Sequence, residues 1–152
     1  MSKKDIYLIL AGIRSAYNVG SIFRTADGAG VTKMYLCGIS PTPNDTKVVK
    51  TSLGTEKTLP WDYHKQIGRL IKKLKNEGVQ IIALEQSKQS IDYTKFKPKF
   101  PLAIIVGNEV SGLNKKVLSC ADVVIEIPMR GEKESLNVAV ATGIALFQII
   151  TH

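Results

Sequence analysis

Three stretches of the chain carry residue types that chemistry could use. Asn18, Ser21 and Arg24 stand at steps of three, a spacing that reads as a polar ridge turned away from the apolar stripe of a helix. Gly107-Asn108-Glu109 with Gly112 places two glycines around a carboxylate, which permits close backbone approach to a flat ligand. The apolar run Val123 to Ile127 stops at Pro128, passes through Met129 and a charged loop, and meets Ser135-Leu136-Asn137. A strand ended by proline and followed by a polar helix start puts backbone donors and short side chains where a ligand can reach them. Taken singly, each stretch has a plainer reading: a solvated arginine, a capped turn, a helix cap in Asn137. No GxxxxGK[ST] phosphate loop is present and no GxGxxG follows the first strand, so nucleotide hydrolysis and a standard dinucleotide site lose their sequence support.

The elements that must position these residues alternate in type. Tyr7 to Ala11 and Lys33 to Cys37 read as buried strands around a helix from about Asn18 to Ala29, ended by Gly28 and Gly30. A polar loop with Pro41, Pro43 and Asn44 leads through Lys47, Lys50 and Leu53-Gly54 to the lone Trp61, the least regular part of the pattern. A basic amphipathic helix spans about Lys65 to Asn76, with Ile67, Leu70, Ile71 and Leu74 inward. Strands at Gln80 to Leu84 and Leu102 to Val106, a short helix near Asn114 to Ser119 and the strand Val123 to Ile127 follow. The uncharged stretch Ser135 to Thr151 is shorter than the roughly 20 apolar residues of a bilayer span, and reads as a core or interface helix with Leu136, Ala139, Val140, Gly143, Ile144 and Phe147 on one side. The expectation is an α/β domain over residues 1–152 with a mostly parallel sheet and helices on both faces. Its ligand loops lie after Leu84, Val106 and Ile127, at the carboxyl ends of strands.

Composition narrows the partners. The net charge of +8 and a pI near 9.5 fit a protein that meets phosphates. Cys37 and Cys120 are isolated, without metal-ligand spacing or a disulfide framework, and read as buried small hydrophobes. His64 and His152 suggest no catalytic site. At the start of the chain, Met1 to Asp5 precede only a short apolar run, Ile6 to Ile13, too brief and too polar at its flanks for a secretion signal or a membrane anchor, so a cytoplasmic protein is expected.

In order and spacing, the segments Asn18 to Gly30, Ile105 to Leu113, and Ile127-Pro128-Met129 with Ser135 to Ala141 resemble the three motifs of the SpoU (TrmH-like) family of RNA 2′-O-ribose methyltransferases, within the SPOUT class. That resemblance implies a C-terminal deep trefoil knot, a homodimer, S-adenosylmethionine as cofactor, no metal, and methyl transfer to a ribose 2′-hydroxyl of structured RNA. By position it assigns the cofactor to Leu84, Gly107, Glu109, Ile127, Met129, Ser135 and Leu136. Catalysis falls to Arg24 as stabiliser of the ribose alkoxide, positioned with Asn18, Glu109, Ser135 and Asn137.

RNA is expected on Arg24, Lys47, Lys50 and Lys57. The stretch Lys50 to Trp61 is similar to one in relatives that modify transfer RNA guanosine or ribosomal loops, and transfer RNA is preferred. The alternatives are a ribosomal RNA methyltransferase and a catalytically silent RNA-binding protein of the same fold. Many relatives add an RNA-binding extension, and the expectation here is a single domain without one.

Overall fold

The computed structural model describes residues 4–152; Met1 to Lys3, the first part of the N-terminal segment, lie outside the described residues. Seven strands form one sheet in the order β3-β2-β1-β6-β4-β7-β5, and every pair is parallel. They are β1 (Ile6–Ala11), β2 (Lys33–Cys37), β3 (Trp61–His64), β4 (Gln80–Leu84), β5 (Ile91–Asp92), β6 (Leu102–Gly107) and β7 (Val123–Glu126). The helices are α1 (Ala16–Ala29), α2 (Thr46–Ser52), α3 (Ile67–Asn76), α4 (Lys115–Cys120) and α5 (Val138–Ile149).

The central strands are apolar without interruption because both faces are covered. Leu8, Leu10, Ile104 and Val106 join the core beneath α1 and α5; Ile9, Ala103 and Ile105 join the core that α3 and α4 cover. Register sets the tips level, with Ala11 opposite both Cys37 and Gly107 and Leu84 opposite Ile125. The loops that follow β1, β4, β6 and β7 therefore share one rim of the sheet. Cys37 sits in the second core, where burial pushes its thiol up to about 12, as suits an inert small hydrophobe; Cys120, expected there too, is only partly covered.

Several boundaries differ from those read in the sequence. Gly28 is inside α1, and Gly30 alone caps it, at φ 76°. The segment read as irregular holds a helix, α2, and an edge strand, β3. α2 rests on α1 at Gly20, where any Cβ would run into Thr51, Val48 and Ser52, and Thr51 Oγ1 donates to the Tyr17 carbonyl at 2.9 Å. α3 begins at Ile67 rather than Lys65, and β7 ends at Glu126 rather than Ile127. Asn137 is the N-cap of α5, so Ser135 and Leu136 belong to the loop before that helix. The face of α5 toward the core carries Thr142, Ala145, Leu146 and Ile149. Val140 and Phe147, expected on the apolar side, are 52% and 47% exposed.

Candidate active site

A cavity of about 370 Å³ opens over the tips of β4, β6 and β7. Its floor is the turn after β6, and glycine is a steric requirement there. A Cβ on Gly107 would stand 2.7 Å from the Gly112 carbonyl carbon and 2.8 Å from Leu113 N; Gly112, at φ 67°, leaves no room for a side chain beside the Glu85 carboxylate. Asn108 closes the turn, its Oδ1 accepting from the backbone N–H groups of Val110 at 2.9 Å and Ser111 at 3.0 Å, while its Nδ2 donates to the Gly12 carbonyl at 3.0 Å. Leu113 N donates to Glu85 Oε2 at 2.7 Å, fixing the turn to the end of β4. Across the cavity, Gln86 Nε2 donates to the Glu134 carbonyl at 2.6 Å and holds the loop that presents Ser135 and Leu136.

A hydrogen-bonded chain runs through all three sequence segments. Glu109 accepts from the backbone N–H of Arg14 and of Ser15, both at 2.8 Å, and from Asn18 Nδ2 at 3.0 Å. Asn18 Oδ1 accepts from Asn137 Nδ2 at 3.2 Å, and Asn137 Oδ1 accepts from Ala139 N and Val140 N at the start of α5. Burial pushes the Glu109 carboxyl up, but the N–H groups of Arg14 and Ser15 and the Asn18 amide outweigh it, so the group lies below its ordinary value.

A carboxyl depressed on folding stabilises the fold above its unfolded pKa, and that contribution is lost as pH falls through the folded value. Thermal melts of wild type and Glu109→Gln should therefore differ at neutral pH and converge only as pH falls through the lowered value of Glu109, below the usual carboxylate range. At neutral pH the variant is expected to lose about 1–2 kcal/mol, since an amide cannot accept all three bonds. A gap that persists undiminished at low pH would remove Glu109 from this role.

Of the residues singled out in the sequence, Asn18, Leu84, Gly107, Glu109, Ile127, Met129, Ser135, Leu136 and Asn137 line this one cavity. Arg24 does not. A helix turns 100° per residue, so the ridge Asn18, Ser21, Arg24 winds through about 120°. Asn18 faces α5, whereas Arg24 lies one turn beyond Gly20, on the side that packs against α2. Lys47 and Lys50 on α2, and Lys57 in the turn after it, are exposed and away from the cavity lining. The sequence reading passed over Glu85, Gln86, Ser111 and Glu126, which also line the cavity; Glu85 and Glu126 follow or end strands β4 and β7, where the strand-tip rule would have pointed. A second cavity, about 330 Å³, lies on the other side of the same turn beside Cys37, Ile39 and Lys65.

An all-parallel α/β sheet with a cavity at its strand tips is the arrangement in which α/β domains bind small ligands. The chain belongs to the SpoU rRNA Methylase family, which it matches over residues 5–147. It is 33% identical over 150 residues to the tRNA (guanosine(18)-2′-O)-methyltransferase of Aquifex aeolicus, covering 96% of this chain and 69% of that protein. It is 30% identical over 146 residues to the 23S rRNA (guanosine-2′-O-)-methyltransferase RlmB of Ralstonia nicotianae, covering 95% of this chain and 58% of that protein.

Among solved structures, the AdoMet-bound rRNA methyltransferase of Sinorhizobium meliloti superposes with a TM-score of 0.92 at 32% identity, over 99% of this chain and 57% of that one. The Aquifex aeolicus TrmH/SpoU tRNA modifying enzyme does so with a TM-score of 0.86 at 31% identity, over 97% of this chain and 75% of that one. The chain thus spans from somewhat over half to three quarters of the length of these relatives.

Proposed function

We propose that the protein is an S-adenosylmethionine-dependent methyltransferase that acts on a ribose 2′-hydroxyl in RNA. The observation that carries this reading is the bonded chain Glu109–Asn18–Asn137, which ties the three family segments to one cavity. Gly107 and Gly112 let the turn after β6 fold back on itself and against Glu85, where no Cβ fits, and this shapes the cavity floor. Leu84, Ile127, Met129 and Leu136 would hold the cofactor's base from the strand tips, and Gly107 with Ser135 would bound the rest. S-adenosylmethionine, when bound, supplies a methyl group on a positively charged sulfur.

The chain's own task is to make the ribose oxygen a competent nucleophile. A hydroxyl of this kind needs its developing negative charge stabilised, and no cation among the described residues lines the cavity. Arg24, a planar cationic fork of donors, meets the need if a second copy presents it. The reading is therefore of a homodimer in which Arg24 of one copy serves the cavity of the other. Support comes from the uncovered apolar side of α5, where Val140, Phe147 and Ile150 are 52%, 47% and 37% exposed beside cavity-lining Leu136 and Val138.

Mixed dimers test this arrangement. Pairing Arg24→Ala with Asn137→Ala should restore activity that neither homodimer has, because one cavity then has both its own Asn137 and the partner's arginine; no recovery would place Arg24 with its own cavity.

Transfer RNA is the substrate in this reading, supported by the Aquifex aeolicus relative, with Lys47, Lys50 and Lys57 contacting phosphates in a salt-sensitive manner. Methylation of size-separated transfer and ribosomal RNA tests the choice. The trefoil knot and a cytoplasmic location belong to the same proposal. The knot is supported by the path from β7 through the cavity wall to α5 over α1. The location is supported by the RNA substrates in the relatives' names, and no helix among the described residues is long and apolar enough to cross a membrane.

A further inference from the structure

The charge on the cavity wall is opposite to that of the chain. Glu85, Glu109 and Glu126 line it, and no Lys, Arg or His among the described residues does, in a protein of net charge +8. Glu109 is committed to three donors on and before α1. Glu85 accepts from Leu113 N at 2.7 Å and from Gln86 N at 3.2 Å, and Glu126 accepts from Ser90 Oγ at 2.6 Å. A carboxylate offers about four acceptor sites, so both keep acceptor capacity and uncompensated negative charge at the ends of β4 and β7.

We propose that Glu85 and Glu126 make this cavity discriminate by charge between the methyl donor and its spent form, favouring S-adenosylmethionine over S-adenosylhomocysteine and so promoting product release. The inference rests on the methyltransferase reading above. The donor carries a sulfonium, an ammonium and a carboxylate, a net charge of plus one. In the transfer the S–CH3 bond breaks with its electron pair kept by sulfur, the O–CH3 bond forms, and the hydroxyl proton passes to water. The remaining thioether compound is net neutral. A unit charge about 8 Å from a carboxylate, at an effective dielectric near 20, changes a binding constant by more than about tenfold. Two such carboxylates act in the same direction.

Calorimetry at low salt with S-adenosylmethionine, S-adenosylhomocysteine and sinefungin, whose protonated amine replaces the sulfonium, tests the proposal. Wild type should bind the two cationic compounds at least about tenfold more tightly than the neutral one. Glu85→Gln keeps an acceptor for Leu113 N while removing the charge, and Glu126→Gln does the same toward Ser90; each should weaken the cationic compounds several-fold and leave the neutral one in place. Equal binding of all three by wild type, or a loss shared equally by all three in both variants, would overturn the charge discrimination and leave the cofactor reading standing. Binding of none of the three to wild type would overturn the cofactor reading and the discrimination with it.

Discussion

Replacing Gly107 with alanine should lower stability by about 2–3 kcal/mol and reduce affinity for S-adenosylmethionine at least about 100-fold. The new Cβ would sit 2.7–2.8 Å from backbone atoms of Gly112 and Leu113, and backbone held on both sides has no rotamer through which to escape. Moving Gly112 and Leu113 outward would break the bond from Leu113 N to Glu85 and strain the Asn108 turn that presents Glu109. Fold and site would fail together, because the same turn is β6's end and the cavity's floor. For a domain of this size the expected fall in Tm is about 4–10 °C. Gly68→Ala is the control: nothing lies within 4 Å of its added Cβ and it stands inside α3, where alanine should stabilise by about 0.5–1 kcal/mol. Urea unfolding and calorimetry on both variants check the pair, and a Gly107→Ala protein that binds cofactor as wild type does would remove the turn from the site.

Arg24→Ala should cut methyl transfer by about 100- to 1000-fold while cofactor affinity changes less than about twofold, since Arg24 is exposed and outside the cavity wall. The loss belongs to the transition state, where negative charge grows on the ribose oxygen, and should appear in kcat/KM for RNA. Arg24→Lys keeps the charge but not the planar fork of donors, so partial activity is expected. The variant should fold normally, since the Arg24 side chain has no bonded partner among the described residues for the fold to lose. Turnover unchanged in Arg24→Ala would take the arginine out of the reaction.

What could be read in the sequence follows from where the physics is local. The central strands were legible because Leu8 to Leu10 and Ile104 to Val106 are buried on both faces, which leaves an unbroken apolar run. α2 was not, since it spans seven residues and buries only Val48 and Ser52. It is ended by Leu53 in the left-handed region, at φ 53°, a place where glycine would have signalled a stop. β3 was missed because it pairs on one side only and shows Asp62 and Tyr63 to solvent.

The cavity residues were assigned by resemblance, and the bonds that organise them have no local signature: Glu109 and Arg14 are 95 positions apart, Asn137 and Asn18 are 119. The distance of Arg24 from its own cavity has a simpler cause. A spacing of three falls 60° short of a full helical turn at each step, so a ridge that looks straight in sequence carries its last member around to another neighbour.

The most direct measurement is incubation of the protein with methyl-labelled S-adenosylmethionine and RNA from its host, followed by digestion of the RNA to nucleosides. Label should appear in a 2′-O-methylated nucleoside, be absent with Arg24→Ala, and run with transfer RNA on separation by size. Label on a base, or RNA left unlabelled by a protein that binds the cofactor, would contradict ribose methylation as the function of this site.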